Sequence, residues 1–215
     1  MNIIWGPENT QIYNDGYRVC CGDAHPRALG EDYRITWASA WPAIGESFDR
    51  AWAGERKFLE NQRMFLKRLN GQLEETFFTF SHSPIQDESG RVGGLFHPVT
   101  ETTATMLAER RTRALRDLVA SLAVATDEAD VAWRTAAVLA RFEFDLPFLL
   151  YYVFDPLTTQ YALAAHHGMA PGTSQTPFSV ASDSSGPWPI AKALAASSII
   201  DVDDLPLCSI ASARP

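Results

Sequence analysis

The first hundred residues combine short apolar runs with one segment of helical period. Residues 1–5 and 11–13 are apolar and are separated by the turn-forming stretch 6–9, a pattern that predicts a first pair of strands. Residues 37–53 are predicted to form one or two helical turns followed by a helix. Large apolar side chains recur every four residues on one predicted face of that helix: Ile44, Phe48 and Trp52.

Three further strands are predicted after this helix. Residues 57–69 and 73–83 flank an Asn-Gly turn, which favours a hairpin. Residues 91–100 predict the third strand, and Pro84 is expected to end the regular pairing of the second. With the first pair, these segments predict an antiparallel sheet of about five strands, a common size.

Residues 102–126 change in character and predict a long connector helix. The segment is rich in alanine, leucine, arginine and glutamate, which are good helix formers. A short heptad seam occupies its a and d positions: Ala108, Arg111, Leu115, Leu118, Leu122 and Ala125. Because apolar seams pair helices, we expect a homodimer whose interface contains Leu115, Leu118 and Leu122.

The remaining residues, 127–215, predict a smaller mixed unit. A helix is expected to begin at Thr126, whose hydroxyl would cap it. Its predicted apolar stripe consists of Val131, Thr135, Val138 and Phe142. The elements expected beyond it are a hairpin of strands at 148–154 and 160–167, a loop at 171–189, a helix at 190–196 and a strand at 199–202.

Composition and charge narrow the classes of partner. The net charge of -8 disfavours binding to nucleic acid or to an anionic membrane, because both carry negative charge. No apolar run approaches the roughly 18 residues of a membrane-spanning helix, and no secretory signal is visible. The cysteine count of 3 makes a disulfide framework unlikely to form and fits a reducing compartment, so a cytoplasmic protein is expected.

Several stretches of the first part resemble a PAS sensor domain and occur in the order found there. The matching segments are Trp5-Gly6-Pro7-Glu8, Tyr13-Asn14-Asp15-Gly16-Tyr17, Glu74-Glu75-Thr76-Phe77-Phe78-Thr79-Phe80-Ser81, Ser83-Pro84-Ile85, Asp87-Glu88-Ser89-Gly90 and Gly93-Gly94-Leu95-Phe96. Glu101 stands where these domains carry the acid of an Asp-Ile-Thr triplet. From Thr126 onward, the order of predicted elements is similar to part of a GAF domain.

The resemblance implies an α+β fold: a PAS-like antiparallel five-stranded sheet with flanking helices over residues 1–101, the connector over 102–126, and an incomplete GAF-like α/β unit over 127–215. It resembles the input region of bacterial sensor histidine kinases, so a kinase or a response regulator is the expected downstream partner. The second unit has about 90 residues where the GAF fold usually has about 150, and a truncated or frame-shifted reading frame would explain that shortfall.

PAS domains often hold a small ligand between the sheet and its helices. The residues that we expect in such a pocket are Tyr13, Trp41, Phe48, Met64, Phe78, Phe80 and Phe96. An ordinary packed core is the more frequent role of such aromatic side chains. The strand parity also stays open, because a slip by one residue exchanges Phe78 and Phe80 for Phe77 and Thr79.

No attachment motif for flavin, haem or bilin is found, and the cofactor is unknown. Cys20-Cys21-Gly22 does not match the flavin-binding motif, and the helix at 37–53 contains no histidine to ligate haem. His82 and His97 lie on predicted strands, where partial exposure is expected. His166 and His167 are neighbours on a strand and point to opposite faces, so a shared metal is not expected.

The sequence carries no recognisable catalytic machinery. The connector helix contains no phosphoacceptor histidine, and neither a glycine-rich phosphate loop nor a Gly-x-Ser-x-Gly elbow is present. We therefore expect a sensory module without catalytic activity, which couples the binding of a ligand or partner to a dimeric helix. The alternative is a small-molecule enzyme that uses the aromatic pocket, although the adjacent Glu74 and Glu75 would face opposite sides of their strand.

Overall fold

The computed structural model describes residues 1–67, 73–182 and 188–202. The chain divides into two compact units, Met1–Ala108 and Glu109–Pro215. The predicted Asn-Gly turn at 70–71 lies outside the described residues. The predicted division into three regions stays a prediction.

The described residues of the first unit form one antiparallel sheet of six strands. Its strands are β1 (Asn2–Trp5), β2 (Thr10–Tyr13), β3 (Lys57–Lys67), β4 (Leu73–Gln86), β5 (Val92–His97) and β6 (Val99–Glu101). The order across the sheet is β2-β1-β5-β4-β3, and β6 pairs with β4 beyond β5. The strands β5 and β6 are the single predicted strand at 91–100, divided at Pro98, which has no N–H to donate.

Strand β4 continues through Pro84, contrary to the expectation that this proline ends its regular pairing. Pro84 is paired with Leu95 of β5. The pairing between β3 and β4 ends at Lys57 and His82, so beyond that point β4 has no β3 residue opposite it. A proline is tolerated where one edge of a strand is open, because no neighbour needs its missing N–H.

Three helices connect β2 to β3: α1 (Asp15–Cys21), α2 (Tyr33–Thr36) and α3 (Trp41–Trp52). The side chain of Asn14 caps α1 by accepting from the N–H of Tyr17. The apolar stripe of α3 is buried as predicted at Ile44 and Phe48. The core between these helices and the sheet contains Ile4, Tyr33, Phe48, Phe78, Phe80 and Leu95. This architecture confirms the expected α+β, PAS-like class.

Helix α4 (Thr103–Leu122) lies within the segment 102–126 that is predicted as the connector, and it ends four residues before the predicted end. Its beginning is held by β4. The N–H of Thr102 donates to the carbonyl oxygen of Phe77 at 2.8 Å, and the N–H of Phe77 donates to Thr103 Oγ1 at 3.0 Å. No residue of α4 is buried.

The second unit contains α5 (Glu128–Leu139), the antiparallel strands β7 (Leu149–Asp155), β8 (Gln160–His167) and β9 (Ser179–Ala181), and α6 (Ile190–Ala196). The sheet order is β7-β8-β9. The predicted hairpin and the final helix are confirmed. Strand β9 lies within the segment predicted as a loop.

Two expectations for the second unit were wrong, and a third was right in part. Asp127, not Thr126, caps α5 by accepting from the N–H of Asp130. Of the predicted apolar stripe, Val138 and Phe142 are buried and Val131 and Thr135 are half-buried. The face of α5 against the sheet carries Ala132 and Ala136, because small side chains allow the helix to approach β7 and β8 closely. Residues 199–202 form no strand, since none of them has a ladder partner among the described residues.

Among the described residues, no helix combines the length and the apolar character that a membrane span requires.

Candidate functional site

A small cavity of about 30 Å³ lies in the core of the first unit. A single water occupies roughly 10–15 Å³ on this scale, so the space is that of about two waters. Its lining is aromatic and aliphatic, with a few polar atoms. The lining residues are Tyr17, Cys20, Tyr33, Trp37, Ala40, Ile44, Met64, Leu66, Phe78, Phe80, His97 and Val99.

The alternation of β4 explains why its aromatic residues reach the cavity. Phe78 and Phe80 point inward, with exposed fractions of 3% and 2%. Thr76 and His82 continue the same inward row and are fully buried. The strand therefore has the parity that places Phe78 and Phe80 inside, rather than the alternative with Phe77 and Thr79.

The seven predicted pocket residues divide into three groups. Met64, Phe78 and Phe80 line the cavity. Phe48 and Trp41 belong to the surrounding core but are not part of the lining. Tyr13 and Phe96 lie elsewhere.

Tyr13 and Phe96 were predicted to line the pocket, but the structure places both away from the cavity. Tyr13 packs in a separate cluster with Tyr17 and Cys21, and its hydroxyl lies 3.1 Å from His25 Nδ1. Phe96 is 37% exposed, because its neighbours Leu95 and His97 take the inward positions of β5. A strand that begins near glycines gives no apolar alternation from which its parity could be predicted.

His82 and His97 are buried, which corrects the expectation of partial exposure. Their exposed fractions are 0% and 4%. Their rings stack at a centroid distance of 4.4 Å, with 18° between the planes. Burial lowers the pKa of His82 to about 2, with the nearby His97 as a further cause, and burial lowers the pKa of His97 to about 4. Both rings are therefore neutral near pH 7.

Tyr33 joins the two histidines to the helices. Its hydroxyl lies 3.3 Å from His82 Nε2 and 3.4 Å from His97 Nε2. Its ring stacks on Phe48 at 5.4 Å with 5° between the planes. Burial raises the pKa of Tyr33 well above its ordinary value, so the hydroxyl keeps its proton.

The sequence analysis did not identify Tyr33 as a site residue, although a signal was present. Tyr33, Trp37 and Trp41 recur every four residues, the spacing that places side chains on one helical face. The loop-forming residues before Tyr33 concealed this pattern. The structure shows Tyr33 and Trp37 on the cavity wall.

A second polar group lies beside the cavity and fixes Trp37. Gln11 is fully buried, and its Oε1 accepts from the indole Nε1 of Trp37 at 3.1 Å. Gln11 Nε2 donates to Thr36 Oγ1 at 2.8 Å, and Asn2 Nδ2 donates to Gln11 Oε1 at 3.2 Å. These bonds fix the β1–β2 hairpin against the helices and hold one wall of the cavity in place.

The adjacent cysteines Cys20 and Cys21 are both buried, and they lie in different surroundings. Cys20 is part of the cavity lining, whereas Cys21 packs beside Tyr13 and Tyr17. Burial raises the pKa of the Cys21 thiol to about 11, so it is protonated near neutrality and a poor nucleophile. Within the described ranges, no group of three or more His, Cys, Asp or Glu side chains is placed to hold a metal ion.

Helix α4 carries the predicted dimer residues, and they differ in exposure. Leu115 is 66% exposed, whereas Leu118 and Leu122 are half-buried. Val119, which the predicted seam omitted, is 69% exposed. The predicted a and d assignment includes the exposed Leu115 and omits the exposed Val119, and the dimer interface stays a prediction.

Ion pairs within the second unit cover part of this helix. Arg111 Nε lies 3.3 Å from Asp145 Oδ1, and Arg141 pairs with Asp117 at 2.9 Å. Arg110 also bonds Asp145, whose side chain is 14% exposed. Arg110 and Asp117 lie on the face opposite Leu115 and Val119, whereas Arg111 lies four residues before Leu115 on the same face.

Comparison with solved structures gives low-identity matches. The structure of an RNA-binding light-oxygen-voltage receptor aligns at 20% identity over 54% of this chain and 33% of that one, with a TM-score of 0.40. The light-state structure of the blue-light photoreceptor Aureochrome1 LOV aligns at 14% identity over 52% of this chain and 91% of that one, with a TM-score of 0.36.

A third match includes more of the chain. The chromophore-binding domain of the Stigmatella aurantiaca bacteriophytochrome aligns at 14% identity over 77% of this chain and 52% of that one, with a TM-score of 0.29. This chain spans about a third of the first receptor and about half of the bacteriophytochrome fragment. At these identities, the likeness concerns the fold alone. No family model and no curated protein matches the sequence.

Proposed function

We propose that this chain is a sensory module in which the state of the cavity alters the packing of β4 and, through β4, the beginning of α4. One observation carries the proposal: the same strand forms the cavity wall and holds the helix. Phe78 and Phe80 line the cavity, and Phe77 makes backbone hydrogen bonds to the residues that start α4. A shift of β4 changes both.

The occupant of the cavity is a small, mostly apolar molecule in this proposal. The wall is made largely of aromatic and aliphatic side chains, and Tyr33 and His97 are among the lining residues. Such a composition is typical of ligand pockets, where a few polar groups fix orientation. A shift of a few kcal/mol is enough to move a two-state equilibrium.

We further propose that α4 pairs with its copy in a homodimer. The open apolar residues Leu115 and Val119 are spaced by four, and Leu122 follows three residues later, which matches successive core positions of a heptad. Ala108 and Thr112 extend the same spacing toward the start of the helix. We define this set of five residues as the α4 seam.

The output in this proposal is a downstream kinase or response regulator in the cytoplasm. The resemblance to the input region of sensor histidine kinases supports the output. Cys20 and Cys21 are not joined in disulfides, which fits a reducing compartment.

Replacing Leu115 and Val119 with glutamate tests the dimer. The double substitution places four like charges across the seam of a dimer, so we expect the mass from light scattering to fall from twice the chain mass to one. Ala120→Glu is the matched control, because Ala120 is exposed and lies outside the seam. An unchanged mass in the double variant, or a monomeric wild type, would overturn the dimer.

A further inference from the structure

Side chains in the core of the first unit form a continuous line from α3 to the backbone of β4. Ser47 Oγ lies 2.9 Å from His82 Nδ1, and His82 Nε2 lies 3.3 Å from the hydroxyl of Tyr33. That hydroxyl lies 3.4 Å from His97 Nε2. His97 Nδ1 lies 3.0 Å from the carbonyl oxygen of Ser81. Ser47, His82, Tyr33 and His97 are all buried, so water does not complete their hydrogen bonds.

The fixed end of this line determines where the protons lie. A carbonyl oxygen only accepts, so His97 carries its proton on Nδ1 and its Nε2 is an acceptor. Tyr33 therefore donates to His97, and its oxygen is free to accept from the Nε2–H of His82. His82 Nδ1 then accepts the proton of Ser47. Every buried group in the line is satisfied in this arrangement.

The opposite tautomer of His82 leaves one group without a partner. Ser47 Oγ also lies 2.8 Å from the carbonyl oxygen of Ile44, to which it could donate while accepting from His82 Nδ1. His82 Nε2 and His97 Nε2 would then both be acceptors, and Tyr33 has a single proton for the two. A buried nitrogen without a donor is costly. The carbonyl of Ile44, in contrast, has a partner within α3 without Ser47.

We infer that Ser47, His82, Tyr33 and His97 form a one-way hydrogen-bond relay, which a cavity occupant carrying a hydrogen-bond acceptor interrupts at Tyr33. Tyr33 and His97 line the cavity, whereas Ser47 and His82 lie behind it. The relay therefore extends from the cavity wall to helix α3. This inference deepens the proposed function and rests on it in taking the cavity as the ligand site.

The chemistry of Tyr33 sets the class of molecule that interrupts the relay. An acceptor in the cavity competes with His97 for the only proton of the Tyr33 hydroxyl. A hydrogen-bond donor does not compete, because the hydroxyl oxygen has a second lone pair. The occupant that this geometry selects is a small apolar molecule with a carbonyl-type oxygen and no donor.

The nitrogen NMR signals of the imidazole rings test the relay in the wild-type chain at neutral pH. We expect opposite tautomers, with the proton on Nε2 of His82 and on Nδ1 of His97. The same tautomer in both rings, or a charged ring, would overturn the relay. The light-scattering test of the α4 seam is independent of this result, so the two proposals can fail separately.

Two tyrosine variants provide a matched comparison. Tyr33→Phe removes the central link, so we expect the nitrogen signals of both His82 and His97 to shift. Tyr17→Phe is the control. Tyr17 is also buried and lines the cavity, but its hydroxyl is not part of the relay. Unshifted signals in Tyr33→Phe, or equal shifts in both variants, would contradict the inference.

Acetonitrile and propane test the interruption, because each has three heavy atoms, near the size of two waters, and only acetonitrile carries an acceptor. The methyl signal of Met64, a lining residue, reports occupancy of the cavity. We expect both probes to shift Met64 and only acetonitrile to shift the nitrogen signals of His82 and His97. If acetonitrile leaves Met64 unshifted, or shifts it without affecting the histidines, the interruption is wrong.

Discussion

At the scale of single residues, the first unit places polar side chains inside an aromatic core. The period of β4 in the sequence predicts an alternating strand but leaves its parity open, and the structure places Phe78 and Phe80 inside. It does not predict that His82 is fully buried, because a histidine on an inward position needs partners from distant segments. Those partners are Tyr33 and Ser47, 49 and 35 residues away along the chain. Contacts of such separation follow from the fold and are not visible in local patterns.

The buried histidines predict that stability declines in mild acid. Their pKa values are lowered in the folded state, to about 2 for His82 and about 4 for His97. In the unfolded chain both histidines have the ordinary histidine pKa near 6.5, so below that pH the unfolded chain binds more protons than the folded one. The free energy of unfolding is therefore highest above pH 6.5 and falls as the pH drops toward 4. Each histidine contributes a slope of up to about 1.4 kcal/mol per pH unit.

Urea unfolding from pH 7.5 to 4.5 measures this decline. Replacing both His82 and His97 with glutamine should flatten the profile relative to the wild type. The control is His166→Gln, which changes an exposed histidine and should keep the wild-type slope. An identical slope in the double variant would show that other groups cause the decline.

Phe48 is predicted to be a major source of stability in the first unit. It is fully buried and stacks on Tyr33, so Phe48→Ala should lower the free energy of unfolding by about 3–5 kcal/mol. Phe58→Ala is the comparison, because Phe58 is 68% exposed and should change stability by less than about 1 kcal/mol. Equal losses in chemical denaturation would contradict the assignment of the core.

At the scale of elements, the sequence predicted most strands and helices of the first unit. It did so because turns and apolar periods are local signals. It failed where the outcome depends on neighbours: β4 continues through Pro84 next to an open edge, and residues 199–202 have no strand to pair with among the described residues. The dimer interface of α4 stays a prediction, and ion pairs of Arg111 with Asp145 and of Asp117 with Arg141 cover part of this helix.

Gly94 of β5 tests the close packing of the sheet. A Cβ at this position would lie 2.7 Å from the carbonyl oxygen of Ile4 and 2.5 Å from the ring of Trp5. The backbone contact cannot be relieved by a side-chain rotation, so Gly94→Ala should destabilise the first unit by about 1–3 kcal/mol. Gly93→Ala meets the Cβ of Asp87 at 3.0 Å and should cost less. A smaller thermal shift for Gly94→Ala than for Gly93→Ala would contradict this view of the strand.

At the scale of the whole molecule, the account depends on β4. This strand forms part of the cavity wall, carries His82 of the relay, and holds the first residues of α4. In the proposed dimer, a second copy pairs on the α4 seam. A sensor needs these parts in sequence: a site, an element that responds to it, and an element that carries the response onward.

The most direct test of this coupling is the hydrogen exchange of the Thr102 amide, which donates to Phe77 of β4. Ala40→Val adds methyl groups at the cavity wall, whereas Ala51→Val adds them to a buried position of α3 that is not part of the lining. Compared at equal global stability, the Thr102 amide should exchange at a changed rate in Ala40→Val and at the wild-type rate in Ala51→Val. The same rate in both variants would contradict the claim that β4 transmits the state of the cavity to α4.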